Sequence, residues 1–227
     1  MTGDTVTSQL YKNKIYGNNG NQDVLDQISV NDETILDVGC GAGDNARILK
    51  MKNKDVTCVT VSVDEAELVR KVCDKVLTVN IENDDLIFEH KFDAIILSHV
   101  CEHLVHPGET ILRLTKYLNK NGKIIIAIPN IAFFKNRFKL LKGDWTMHES
   151  GPFDKTHLHF YSYYSANSII DENKVTMVTK IAGQLAVPLW PLRILMPSFS
   201  RKIDKTIGSY FPNLFAQQIV MVITANK

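Results

Sequence analysis

Thr34-Ile35-Leu36-Asp37-Val38-Gly39-Cys40-Gly41-Ala42-Gly43 is the stretch on which the reading of this chain turns. Residues 34–38 form a short apolar run stopped by glycine, the pattern of a buried strand. The glycines at 39, 41 and 43 allow a sharp turn and let a ligand approach main-chain N–H groups. A dinucleotide-binding turn spaces its glycines as GxGxxG, and here Asp44 stands where the third of those glycines belongs. Asp37 puts a carboxylate beside the turn, which repels a pyrophosphate and attracts an amino group or a sulfonium.

Outward from this turn the chain alternates strands and helices. Residues 44–52 read as a short helix, 55–61 (DVTCVTV) as a β-branched strand, and 64–73 as a helix. Val76–Ile81 reads as a third strand and Phe92–Leu97 as a fourth. Glu109–Leu118 carries Ile111, Leu112, Leu114 and Leu118 at helical spacing, and Asn121-Gly122 stops it. Lys123–Ile128 is the fifth strand, closed by Pro129. This rhythm predicts βαβ units and a mainly parallel sheet with helices on both faces. Such a fold puts the active crevice at the carboxyl ends of the strands. Residues 131–165 turn aromatic and histidine-rich. A helix is expected over 165–172, strands over Val175–Ala182 and Gln218–Thr224, and a proline-interrupted segment over 187–216. The division is one α/β domain: an N-terminal cap segment (1–30), a cofactor-binding core (31–130), a substrate-side insertion or lid (131–216) and a last strand (217–227).

Composition narrows the function classes. The 227 residues are 44% hydrophobic, enough for a full core. With 26 basic and 25 acidic residues the formal charge is +1, so no broad field draws nucleic acid. Cys40, Cys58, Cys73 and Cys101 form no CxxC pair, which reads as a reducing compartment without structural disulfides. The N-terminus has no apolar signal core, and no window is long and apolar enough to span a membrane. The expectation is a soluble, cytoplasmic protein.

ILDVGCGAG resembles the first motif of the class I S-adenosylmethionine-dependent methyltransferases, and FDAIILSHVCEHLVHP resembles their fourth-strand segment with its EHL-type ending. The resemblance covers residues 34–130 well. The stretch from Pro129, PNIAFFKNRFKLLKGDW…GPFDKTHLHFYS, resembles a subgroup associated with cell-surface polysaccharide or glycan biosynthesis. More loosely, it is similar to ubiquinone-pathway O-methyltransferases and to methyltransferase-like proteins of methionine biosynthesis. It implies S-adenosylmethionine as cofactor, a compound with two cationic groups and no phosphate. It also implies a seven-stranded Rossmann-like sheet whose last strand is antiparallel. Residue by residue, it places Asp37, Gly39 and Gly41 around the methionine part. Thr60, followed by Val61, falls where the family usually has an acidic ribose ligand, and Glu65 on the next helix is a candidate to compensate. Asn80 falls at the adenine amino group, Ile81 on the adenine face, and Ser98 and His99 along the crevice.

A hydroxyl acceptor benefits from a general base, usually histidine near neutral pH. The preferred base is His157 of THLHF, with His103 of the EHL segment second. His90 and His106 lie in loops. If THLHF is extended, His157 and His159 share a face near Asp154, a set similar to that of some metal-dependent O-methyltransferases, but no residue is assigned to a metal. The aromatic stretch 133–164, with Lys135, Arg137, Lys139 and Lys142, suits a small-molecule or glycan-type acceptor. The apolar, basic segment 189–215 is open to three roles: lid, peripheral membrane contact or dimer contact. No nucleic-acid partner is expected, and the oligomeric state is not legible. The alternative function is a non-catalytic methyltransferase-like regulatory subunit, for which the missing acid at Thr60 is the best support.

Overall fold

The structure, a computed structural model, describes Tyr16, residues 19–188 and residues 194–226. Its strands are β1 (Thr34–Val38), β2 (Asp55–Thr60), β3 (Lys75–Thr78), β4 (Phe92–Ser98), β5 (Leu118–Pro129), β6 (Val175–Leu185) and β7 (Ala216–Ala225). They form one seven-stranded sheet in the order β3-β2-β1-β4-β5-β7-β6. β7 runs antiparallel to both β5 and β6, and the pairs among β1 to β5 are parallel. This is the expected α/β class.

Side chains alternate across the sheet because successive residues of a strand face opposite ways. Leu36, Val38, Ile95, Leu97, Ile124 and Ile126 bury one face against Ile111 and Leu114 of a helix over Pro107–Leu114. Ile35, Val56, Cys58, Ala94, Ile96 and Ile125 bury the other. There they meet Val24 and Leu25 of α1 (Gln22–Leu25), Ala46 and Leu49 of α2 (Asp44–Met51), and Val69 of α3 (Val63–Val69). The helix over Pro107–Leu114 is α4, α5 spans Phe134–Leu141, α6 Pro197–Tyr210 and α7 Pro212–Phe215.

Several boundaries differ from the sequence reading, for local reasons. β3 stops at Thr78 rather than Ile81. Beyond it, Asn80 Oδ1 accepts from the Glu82 N–H at 2.9 Å and Asp84 Oδ2 from the Asn80 N–H at 2.6 Å. These side-chain bonds form a turn that competes with the ladder. The α4 helix ends at Leu114 and tightens into a 3₁₀ turn over Thr115–Tyr117, where the Thr115 hydroxyl donates to the Leu112 carbonyl. The expected helix over 165–172 is a 3₁₀ turn, Ser165–Ile169. Within 131–216, β6 belongs to the sheet, so the pieces added around the core are the segments on either side of it. The proline-rich 187–216 region is more regular than expected, because Pro197 and Pro212 sit in the first turns of α6 and α7, where a missing N–H costs nothing. Residues 189–193 of the apolar segment, and residues 1–15 and 17–18 of the N-terminal cap segment, lie outside the described residues. Among the described residues no helix is long and apolar enough to cross a membrane. All four cysteines are buried free thiols.

Asp37 is the odd residue of β1. Its carboxyl is buried, and neither oxygen has a hydrogen-bond partner among the described residues. It pairs in register with Cys58 on β2. Burial, with the neighbouring Cys73 thiol, pushes its pKa up to about 7. A carboxyl whose pKa is raised on folding stabilises the fold most below its unfolded pKa, and that stability drains away as pH rises toward 7. The loss is on the order of 4 kcal/mol across this window. Denaturant unfolding of the wild-type chain is therefore expected to weaken from pH 4 to pH 8 by several kcal/mol more than that of Asp37→Asn. Parallel pH profiles for the two proteins would remove Asp37 as the cause.

Candidate active site

The chain leaves β1 through Gly39, at φ 67°, and Gly41, at φ 55°, backbone that L side chains rarely adopt. A Cβ on Gly39 would collide with Val100 Cγ2, and one on Gly41 would lie 2.5 Å from the Tyr16 carbonyl oxygen. The turn is pinned from below by the Gly39 N–H on the Val59 carbonyl (2.8 Å) and from above by the Ala42 N–H on the Tyr16 carbonyl (2.7 Å). Beside it opens a cavity of about 470 Å³ along the carboxyl ends of β1, β2 and β4.

At the end of β2 the Thr60 hydroxyl donates to Glu65 Oε2 at 2.6 Å, while the Ser62 N–H donates to Thr60 Oγ1 at 3.1 Å. Glu65 is buried in the first turn of α3, a helix capped by Ser62. Its other oxygen accepts from the Tyr16 N–H at 3.0 Å. A carboxylate therefore does stand at this strand end, delivered from the next helix. Tyr16 also reaches across the cavity, its hydroxyl donating to Asp154 Oδ2 at 3.3 Å.

The end of β4 carries the second polar group. His99 has φ 57°, a left-handed value uncommon for a non-glycine residue and held here by its N–H on the Ala127 carbonyl. Gln218 donates through Nε2 to Asp23 Oδ2 (2.6 Å) and Asn21 Oδ1 (2.9 Å), so its Oε1 faces His99 Nε2 at 3.0 Å. Because an amide oxygen only accepts, His99 Nε2 carries hydrogen. His99 Nδ1 lies 3.3 Å from Oε1 of Glu102, whose side chain is 1% exposed. Burial opposes charge on both groups, yet their mutual attraction prevails. It holds the His99 pKa above and the Glu102 pKa below the ordinary value.

Glu102 sits in a 3₁₀ turn, Cys101–His103, and its carbonyl accepts from the N–H groups of Leu158 and His159. That pair of bonds clamps THLHF onto the EHL segment. His157 then packs edge-on against His103, with ring centroids 4.6 Å apart. His157 Nδ1 lies 3.3 Å from the Pro152 carbonyl, an acceptor, so Nδ1 carries the hydrogen and Nε2 the lone pair. Nε2 stands 4.0 Å from Glu102 Oε1. Burial lowers the His157 pKa, against the opposing pull of Glu102. His103 Nδ1 lies 3.1 Å from Thr156 Oγ1, whose hydroxyl donates to buried Asp154 at 2.6 Å.

Of the expected residues, Gly39, Gly41, Thr60, Val61, Asn80, Ile81, Ser98, His99, His103 and His157 line this cavity. Asp37 does not: its side chain lies inside the sheet, because alternation along β1 turns it toward Cys58 and Cys73. The negative potential assigned to Asp37 comes instead from Asp44, Glu65, Glu82, Glu102 and Asp154 on the wall, where no lysine or arginine stands among the described residues. Asn80 Oδ1, expected at an adenine amino group, already accepts from the Glu82 N–H. His159 leaves the cluster: residues 157–160 do not extend as a strand, and its ring stacks on Tyr161. Sequence reasoning missed Tyr16, Gln218 and the part Glu102 plays. Only the EHL spelling hinted at Glu102, and nothing local marked the other two.

A family model described as a methyltransferase domain matches residues 17–174. The chain is 31% identical over 105 residues to a ubiquinone biosynthesis O-methyltransferase of Rickettsia prowazekii, covering 42% of this chain and 40% of that protein. It is 26% identical over 145 residues to an uncharacterized protein of Methanocaldococcus jannaschii, covering 60% of this chain and 37% of that one. The matches thus span well under half the length of these relatives. The fold is similar to that of a TehB-like SAM-dependent methyltransferase from Corynebacterium glutamicum, with a TM-score of 0.56 at 13% identity, covering 90% of this chain and 86% of that one. Since the family match runs from before the glycine turn, through THLHF, to the threshold of β6, the chain belongs to the class I S-adenosylmethionine-dependent methyltransferase family.

Proposed function

We propose that this protein methylates a hydroxyl of a small molecule or of a sugar or glycan precursor, with His157 as the proton acceptor. The observation that carries the reading is the geometry at the cavity wall: His157 Nδ1 lies 3.3 Å from the Pro152 carbonyl and Nε2 lies 4.0 Å from Glu102 Oε1.

The residues present fit the cofactor. A wall that among the described residues has five carboxylates and no lysine or arginine suits a ligand bearing an ammonium and a sulfonium and no phosphate. In this reading Gly39 and Gly41 admit the methionine part against the backbone, Thr60, Val61 and Glu65 face the ribose, Asn80 and Ile81 the adenine, and Ser98 and His99 the crevice floor. When bound, S-adenosylmethionine supplies a methyl group on a good leaving group, so alignment and a free acceptor lone pair are the main demands. His157 meets the second demand. Its lowered pKa keeps Nε2 unprotonated near neutrality. Once protonated, the imidazolium is stabilised by Glu102. His103, oriented by Thr156 and Asp154, holds the His157 ring in place. The sugar or glycan class is supported by the resemblance of the segment from Pro129 to Ser162. The regulatory-subunit alternative loses its best support, because Glu65 brings a carboxylate to Thr60.

Calorimetric titration of the wild-type chain with S-adenosylmethionine is expected to give a saturable heat; no heat and no thermal stabilisation would sink the reading. Glu65→Gln should weaken that binding about tenfold or more, since it exchanges a charged acceptor for a neutral amide. His157→Ala should bind the cofactor like wild type and lose on the order of 10²- to 10⁴-fold in turnover of a methylated hydroxyl acceptor. An unchanged rate would remove His157 as the base.

A further inference from the structure

We propose that Glu102, His103 and His157 form a binding site for a divalent transition-metal ion at the wall of the cavity. Each offers one ligand atom, and these atoms all lie within 4.8 Å of one another. Around a tetrahedral ion, ligands at Zn–N of about 2.1 Å sit about 3.4 Å apart, so a closure of at most about 1.4 Å completes the set.

Three observations point to an ion. The first is Glu102. Its side chain is 1% exposed, and neither oxygen makes a hydrogen bond among the described residues. The nearest basic group, His99 Nδ1, approaches Oε1 at 3.3 Å and leaves Oε2 for a positive group. A buried carboxylate without hydrogen bonds is costly, and a metal ion relieves that cost. The second is the outer support of both imidazoles. His157 Nδ1 is tied to the Pro152 carbonyl, and His103 Nδ1 to Thr156, itself tied to Asp154. A metal-binding histidine typically anchors its other ring nitrogen in this way, which fixes ring orientation and tautomer. The third is access: all three residues line the cavity, so three protein ligands leave a coordination position open to a bound molecule. Two imidazoles with one carboxylate favour Zn²⁺, Co²⁺ or Fe²⁺ over Mg²⁺ or Ca²⁺, which prefer oxygen donors. This set replaces the His157, His159 and Asp154 set considered from the sequence, because His159 turns away onto Tyr161.

The site rests on these side chains and not on methyl transfer. Metal binding and proton uptake at His157 Nε2 exclude each other, so the metal-free chain presents a base and the loaded chain a Lewis acid. The test uses the full chain freed of metal by chelator. Co²⁺ is added while visible absorption is followed, and Zn²⁺ is titrated against a chromophoric chelator. One equivalent of Co²⁺ should give a ligand-field band that Zn²⁺ abolishes. Glu102→Gln and His157→Gln should each weaken Zn²⁺ binding by about 100-fold or more, and His159→Gln should leave it unchanged. S-adenosylmethionine titration of the same samples separates the two readings. If His157→Gln keeps cofactor affinity but loses Zn²⁺, the site is established even should Glu102→Gln fail to fold. If wild type gives no Co²⁺ band, or His157→Gln binds Zn²⁺ like wild type, the metal site is overturned while the methyltransferase reading stands. Wild type that binds Zn²⁺ but not S-adenosylmethionine supports the metal site and overturns the other reading.

Discussion

β1 is the strand at which the sheet changes direction. β2 and β3 lie to one side of it, β4 and β5 to the other, all parallel. The chain leaving β1 therefore crosses over one face, and the chain entering β4 returns from the other. Neither connection can cover the gap at their carboxyl ends. That gap is the cavity, and Gly39, Thr60, Ser98 and His99 reach it from the ends of β1, β2 and β4, while Tyr16, Glu65, Asp154 and His157 reach it from other segments. The left-handed backbone at Gly39 and Gly41 keeps the floor of the gap free of side chains.

Charge is distributed in this gap by burial rather than by number. The chain as a whole is nearly neutral, yet among the described residues the cavity wall gathers five carboxylates with histidine as the only basic side chain. Each carboxylate is handled differently. Glu65 is satisfied by Thr60 and Tyr16, and Asp154 by Thr156 and Tyr16. Glu102 meets three imidazoles, and among the described residues neither of its carboxylate oxygens makes a hydrogen bond. Polar groups that water cannot reach and protein does not satisfy mark places where a ligand contributes free energy. The chemistry of the site is therefore concentrated where EHL and THLHF meet.

That meeting depends on main-chain hydrogen bonds. The Glu102 carbonyl takes two N–H donors from THLHF, and the Tyr161 carbonyl takes the Ile131 N–H. The aromatic residues of the insertion complete the clamp: Trp145 packs edge-on against Phe153 and Phe160, and Lys139 sits over the Phe153 ring. The insertion thus holds two histidines at the cavity wall, 54 residues apart in sequence, without belonging to the sheet.

The sheet and its cofactor-side crevice were legible in the sequence, because strand length, β-branched composition and glycine stops are local properties, read off 34–43, 55–61 and 92–97 without knowing any partner. The placement of Thr60, Asn80, Ser98 and His99 along the crevice came from the resemblance to the methyltransferase family. Three things needed the tertiary structure. Asp37 faces into the sheet rather than the crevice, since its direction is set by alternation along β1 and by which face β2 presents. Glu65 replaces the missing acid at Thr60, since a helix turn brings it back over the strand end. Glu102, His103 and His157 converge while His159 departs, since residues 157–160 are shaped by long-range bonds to Glu102 and not by strand periodicity. Spacing along the chain determines what is local; contacts between segments far apart decide which of several candidate side chains share a site.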